Sequence, residues 1–159
     1  MPSQSKHKTV RVQIGSFEAD IDAEIAPLIE EMWKAGIATM NSCQENEPEI
    51  VWLEFLTAID AADFLDIVAG SYSDEPDSLY NRIRLEWETE TGPVKGAWRY
   101  DLNPADMSVD QRLLGDGSID EKQIGPPDFI FHVSIRFPCS DVTALVQRLE
   151  AFNEAQGVG

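Results

Sequence analysis

Residues 39–55, TMNSCQENEPEIVWLEF, contain one of the two cysteines of the chain, at a predicted polar turn between two β-prone segments. Binding sites are often found at such strand-to-turn junctions. The turn supplies amide, hydroxyl and thiol groups from Asn41, Ser42, Cys43 and Gln44. A thiol becomes nucleophilic where positive charge or a helix N-terminus favours the thiolate. Three glutamates follow within six residues and disfavour it, so the sequence predicts a binding or packing role for Cys43 over a catalytic one.

Two residues outside the turn complete the candidate site. Glu54 follows Trp52 by two residues on the returning strand, and an acid beside a large aromatic ring is a reasonable ligand contact. His132 lies in an alternating strand and is the histidine available for acid–base chemistry, because His7 falls in a predicted loose tail. An enzyme that uses Cys43 with His132 is an alternative if their strands are neighbours. The sequence has no glycine-rich phosphate loop and no zinc-ligand spacing, so we expect no cofactor and no metal.

The charge of the chain is strongly negative and unevenly distributed. There are 29 acidic and 12 basic residues, for a net charge of −17, and residues 13–81 hold 16 acids with Lys34 as their single base. Such a surface repels a phosphate backbone, so we expect no direct nucleic-acid binding. The same charge favours a further hypothesis, in which the protein is an acidic mimic of nucleic acid that binds a basic protein.

Length and composition predict one domain in a reducing compartment. A chain of 159 residues fits a single domain, with a loose tail at 1–8 and a long loop at 103–128. The first residues lack a secretory signal, and no apolar run is long enough to span a membrane. Two distant cysteines do not make a disulfide framework. We therefore expect a cytoplasmic protein that does not bind membranes.

Hydrophobic periodicity predicts an α+β fold. Alternating patterns predict strands over 9–14, 37–43, 50–56, 82–88, 96–102 and 129–137. Helical spacing predicts helices over 20–36, 60–70 and 142–152. Asp20 or Asp22 can cap the first helix and Ser140 or Asp141 the last, and Pro27 favours a start of the first helix near Ile25. Strands that follow one another as hairpins favour a largely antiparallel sheet covered on one face by helices, and we expect a ferredoxin-like (split βαβ) arrangement with additions. Exposed sheet edges also allow a homodimer.

Several segments resemble known proteins. The stretches DIDAEIAPLIEEMW, NSCQEN, VWLEF and SIRFPCSD together resemble a set of small uncharacterised bacterial proteins over most of the chain. The TMNSC stretch is similar to the SSCSGR stretch of the tRNA wybutosine-synthesis protein family, in which Ser42 and Cys43 match. Gln44 and Glu45 replace the serine and glycine that follow in that family, and no basic residue comes next, so the resemblance does not extend to RNA function.

Taken as a whole, the sequence predicts a cytoplasmic binding or interaction module for a small molecule or a protein. Its site is expected at the 41–46 turn, with Glu54 and His132. The thiol enzyme and the nucleic-acid mimic remain the two alternatives.

Overall fold

The fold is described by a computed structural model, which covers residues 7–85, 88–105 and 130–157. Its strands are β1 Thr9–Ile14, β2 Phe17–Asp22, β3 Thr39–Glu47, β4 Ile50–Phe55, β5 Glu88–Thr89, β6 Gly92–Pro93, β7 Arg99–Ala105 and β8 Ile130–Pro138. Its helices are α1 Ala26–Lys34, α2 Ala58–Val68, α3 Leu79–Arg84 and α4 Val142–Ala155. A short 3₁₀ turn, Cys139–Asp141, leads into α4.

The first two strands that the structure describes, β1 and β2, form a hairpin in which Ile14 pairs with Phe17. Periodicity alone predicted a helix from residue 20, whereas Pro27 favoured a start near Ile25; in the structure β2 continues to Asp22 and α1 begins at Ala26. Proline lacks the amide hydrogen that later helical turns need, so Pro27 is accepted only in the first turn. The helix therefore begins beside Pro27, and the segment before it is free to pair with β1.

The main sheet has four strands in the order β3-β4-β8-β7, and each neighbouring pair is antiparallel. One of its faces forms the core with α1, α2 and α4. The strand residues of this core are Val51, Leu53, Phe55, Val133, Ile135 and Phe137, each at most 7% exposed. The predicted α+β fold, with helices on one face of an antiparallel sheet, is confirmed. The finer prediction, a ferredoxin-like (split βαβ) topology, is not confirmed.

The segment predicted as a strand over 82–88 begins instead as helix α3. The Ser78 Oγ accepts a hydrogen bond from the Asn81 amide at 3.2 Å and caps the helix. Leu85 has a φ of 57°, and this left-handed conformation ends it. Alternation over a few residues does not distinguish a strand from a short helix. The predicted strand over 96–102 does form as β7, but it pairs with β8 and not with the described residues of 82–88.

A buried ion pair joins α3 to the start of α4. The Arg82 guanidinium donates two hydrogen bonds to the Asp141 carboxylate, at 2.7 and 2.9 Å, and the Trp98 Nε1 donates a third at 3.0 Å. The Arg82 and Asp141 side chains are 14% and 9% exposed. The hydrogen bond to Asp141 raises the pKa of Arg82. Asp141 was predicted as a candidate side-chain cap of α4, but it makes no capping hydrogen bond.

The ends of the predicted tail and loop belong to the fold. The Lys8 carbonyl accepts a hydrogen bond from the Ala23 amide at 2.8 Å, so residues 7 and 8 are not a loose tail. Residues 103–105 are part of β7, and the rest of the predicted loop, 106–128, lies outside the described residues. Among the helices that the structure describes, none is long and apolar enough to cross a membrane.

Candidate functional site

The predicted turn at 41–46 is part of strand β3, so this prediction was wrong. The chain reverses two residues later, at Pro48 and Glu49, where Glu49 has a φ of 63°. Proline followed by a residue with positive φ is the combination found in a type II turn. The strand is polar because it is an edge strand of the main sheet, and its residues 40–47 are exposed or half-buried. Its polarity had indicated a turn.

The register places predicted site residues on the face of the main sheet that points away from α1, α2 and α4, here called the outer face. Directly paired residues of neighbouring strands point to the same side. Asn41 pairs with Glu54, and Cys43 pairs with Trp52. Ser42 lies between them in sequence and therefore points toward the helices. The structure brings Asn41, Cys43 and Glu54 together on one face and separates Ser42 from them.

Polar contacts cross the outer face around Trp52. The Asn41 Nδ2 donates to the Glu54 Oε1 at 3.4 Å. Arg136 lies on β8, where it pairs with Trp52 of β4, and it donates a hydrogen bond to Asp101 at 2.8 Å. The Trp52 Nε1 is buried and has no hydrogen-bond partner among the described residues. An aromatic side chain surrounded by hydrogen-bonding groups is typical of a ligand contact surface.

A second ion pair crosses the end of the outer face. The Arg99 Nη2 lies 2.6 Å from the Glu47 Oε2, and this hydrogen bond lowers the pKa of Glu47. Both side chains are about half exposed, at 52% and 47%, so the pair adds little stability in water. It connects side chains of the two edge strands, β3 and β7, across β4 and β8.

His132 lies on the outer face at a distance from Cys43. The His132 Nδ1 is 2.8 Å from the Leu56 carbonyl, which can only accept, so Nδ1 carries the hydrogen. Cys43 is level with Trp52 and Arg136 in the sheet register, and His132 is four residues further along β8. Two strand spacings and four residues separate their Cα atoms by about 16 Å. The structure therefore does not bring Cys43 and His132 together.

Gln44 ties β3 to the N-terminal segment. Its backbone amide donates to the Asp22 Oδ2 at 2.9 Å, and its side-chain oxygen accepts from the Glu24 amide at 3.0 Å. Its side-chain nitrogen lies 3.3 Å from the Nδ1 of His7. We call the group of His7, Asp22, Cys43 and Gln44 the Cys43 corner.

The Cys43 corner brings three different donor groups together. The His7 imidazole, the Asp22 carboxylate and the Cys43 thiol each offer one atom within 4.8 Å of the other two, and all three residues are half-buried. The sequence did not predict this cluster, because His7 was assigned to a loose tail and Asp22 to a helix cap. Their spacing matches no metal or catalytic motif, so the residue types were the only signal that the sequence contained.

The fold defines the class of the molecule: it is an α+β protein in which helices cover one face of an antiparallel sheet. The chain is similar to an uncharacterized protein of Acanthamoeba polyphaga mimivirus, with 32% identity over 136 residues. The match covers 84% of this chain and 62% of the viral protein, so the chain spans less than two thirds of the length of that relative. No family model matches the chain, and no solved structure matches it.

These comparisons correct the family assignment made from the sequence. A matching relative is a protein of Acanthamoeba polyphaga mimivirus and not one of a set of bacterial proteins. No family model supports a link to the tRNA wybutosine-synthesis proteins. The assignment to small bacterial proteins and the similarity to the wybutosine family were therefore both wrong.

Proposed function

We propose that this protein is a cytoplasmic binding module, and that its site is the Cys43 corner with the adjoining part of the outer face. The observation that carries the proposal is the position of Gln44, which contacts His7 and residues 22 and 24 and so brings two separate parts of the chain to β3 beside Cys43. The ligand would be a small polar molecule or ion, or a polar group of a partner protein.

Preorganisation supports binding at this corner. A site binds more tightly when its groups are already ordered before the ligand arrives. Here the Asp22 carboxylate is oriented by the Gln44 amide, and the Gln44 side chain is held by the Glu24 amide. Both cysteines are free, which is consistent with a reducing cytoplasm.

The proposal is tested by ligand-induced thermal stabilisation. The purified wild type and two variants, each with one glutamine replaced by alanine, would be screened against divalent cations, amino acids, nucleotides and short peptides. A ligand at 100 times its Kd adds about 2.7 kcal/mol, which raises the Tm by about 5–10 °C for a chain of this size. Gln44→Ala should remove most of this shift. The control Gln147→Ala, on the exposed side of α4, should keep it.

Two outcomes would contradict a binding role for the corner. One is that no compound class stabilises the wild type. The other is that Gln44→Ala responds to every active compound as strongly as Gln147→Ala, which would move the site away from the corner.

Thiol chemistry is the second candidate function, because the Cys43 thiol lies within 4.8 Å of the His7 imidazole. His7 takes the place of the base that the sequence assigned to His132. A nucleophile, a base and an orienting acid are normally arranged in series, with the acid beside the base. In this corner Asp22 is also within that distance of the thiol and is hydrogen-bonded to Gln44, so the arrangement favours binding over catalysis.

The rate of alkylation against pH separates these two functions. If His7 activates Cys43, His7→Ala should slow the reaction of Cys43 with iodoacetamide at neutral pH and leave the exposed Cys139 unchanged. Equal rates in the wild type and in His7→Ala would exclude the catalytic pairing.

A further inference from the structure

We propose that His7, Asp22 and Cys43 bind a divalent transition-metal ion, and that Zn²⁺ is the ion that fits them best. This inference rests on the binding role proposed above and names the ligand of the same corner. One imidazole nitrogen, one carboxylate oxygen and one sulfur lie within 4.8 Å of one another. Zn²⁺ takes all three donor types, whereas Ca²⁺ and Mg²⁺ take oxygen ligands.

The distances are compatible with one shared ion. Ligands at 2.0–2.3 Å from a tetrahedral zinc lie about 3.3–3.6 Å apart. The observed spread of at most 4.8 Å would close by no more than about 1.5 Å. His7 precedes β1, and a change of its side-chain rotamer can close the cluster by this amount.

Gln44 orients the Asp22 carboxylate through a hydrogen bond, as residues that surround a metal site commonly do for its ligands. A ligating carboxylate is commonly hydrogen-bonded by a neighbouring group that fixes its orientation. The Gln44 amide donates to the Asp22 Oδ2 at 2.9 Å, which leaves the other lone pairs of the carboxylate for a cation. The Gln44 Nε2 also lies 3.3 Å from the His7 Nδ1. An amide nitrogen only donates, so this contact must open when His7 ligates the ion. Gln44 therefore positions Asp22 among the three ligands.

The charge of the surroundings favours a cation. Residues 13–81 carry a formal charge of −15, and a field of this sign attracts divalent ions. On binding, the Cys43 thiol loses its proton to the solvent and the sulfur coordinates as thiolate. Three protein ligands leave a fourth position on a tetrahedral ion, which water or a group of a partner would fill.

The test is zinc binding by the full chain without an affinity tag, measured by competition with a chromophoric chelator. The wild type should bind one Zn²⁺. Removing a ligand should weaken binding by more than about 100-fold, because loss of an outer hydrogen-bond partner alone costs 10–100-fold. His7→Ala and Cys43→Ala are the ligand variants, and Gln44→Ala should lose about 10-fold. Cys139→Ala and Gln147→Ala should bind like the wild type.

Co²⁺ provides a readout that a folding defect does not imitate. The Co²⁺-loaded wild type should show a thiolate-to-metal absorption band, which should persist in Cys139→Ala and disappear in Cys43→Ala. His7→Ala should keep the far-UV circular dichroism of the wild type, because His7 lies outside the strands and helices.

The proposal would be overturned if Zn²⁺ bound the wild type no more tightly than His7→Ala and Cys43→Ala, or if Co²⁺ gave no thiolate band. Rejection of the metal proposal can be told apart from rejection of the binding role. Stabilisation by a non-metal compound that depends on Gln44 would keep the binding module and reject only the metal. The absence of both responses would reject both.

Discussion

Replacement of Asp141 by alanine should destabilise the fold far more than replacement of an exposed aspartate. The Asp141 carboxylate accepts two hydrogen bonds from Arg82 and one from Trp98, and its side chain is 9% exposed. Removing one partner of a buried ion pair typically costs 3–5 kcal/mol, because the other charge is left uncompensated. Arg82 keeps its hydrogen bonds to the Gly96 and Asp77 carbonyls, so we expect the lower end, about 3 kcal/mol.

The measurement is equilibrium unfolding in urea, followed by circular dichroism and by tryptophan fluorescence. Asp20→Ala is the matched control, because Asp20 pairs with Arg11 at 3.2 Å while its side chain is 66% exposed. Exposed pairs are worth at most about 1 kcal/mol. Arg82→Met combined with Asp141→Ala should cost less than the sum of the single variants, since the residues share one interaction. Equal losses in Asp141→Ala and Asp20→Ala would refute the assignment of Asp141 as a buried structural anion.

Three further predictions concern the backbone, a phenol and a helix cap. Glu49→Gly should raise the free energy of unfolding by up to about 1 kcal/mol, because Glu49 is exposed at a φ of 63° and the left-handed conformation costs a residue with a side chain roughly 1–2 kcal/mol. Gly36→Ala, at a φ of 80° with open space around it, should lower the free energy of unfolding by a similar amount. Chemical denaturation of both variants checks the sign of each change. Burial raises the pKa of Tyr100, which donates to the Ile83 carbonyl; the unfolded chain therefore loses this proton first, and stability falls as the pH rises above about 10. Tyr100→Phe should flatten that loss in unfolding curves at pH 9 to 11, and an unchanged slope would contradict the assignment. Asp60→Ala should lower the free energy of unfolding by about 1–2 kcal/mol in the same assay, because the Asp60 carboxylate accepts hydrogen bonds from the Ala38 amide and from the Thr57 hydroxyl. A loss of no more than about 0.3 kcal/mol would show that neither hydrogen bond stabilises the fold.

Local patterns predicted the elements that form the core. Val51, Leu53 and Phe55 share one face of the predicted strand, and they are the buried positions of β4. The apolar positions Leu145 and Leu149 of α4 are likewise fully buried. Such patterns are reliable because each residue reports which side of its own strand or helix meets the core.

The errors arose where short-range signals compete. The polar edge strand β3 resembled a turn over 41–46, because an edge strand need not alternate when neither of its faces is fully buried. The short helix α3 resembled a strand, because its cap at Ser78 lies before the alternating segment.

The candidate site was predicted in part. Asn41, Cys43 and Glu54 share the outer face, as strands paired in a hairpin require. His132 belongs to the same face but is separated from Cys43 by strand register, which periodicity does not encode. His7 and Asp22 were missing, because no local pattern links a residue before β1 to the end of β2 and the edge of β3.

The sequence by itself determined the strong negative charge, the α+β class and most of the residues that form the core, because composition and periodicity are local properties of the chain. Only the tertiary structure decided that Asp141 pairs with Arg82 and that His7, Asp22 and Cys43 meet at one corner. Those contacts depend on strand order and register, which are set by the packing of the whole chain and leave no trace in the spacing of the residues that they join.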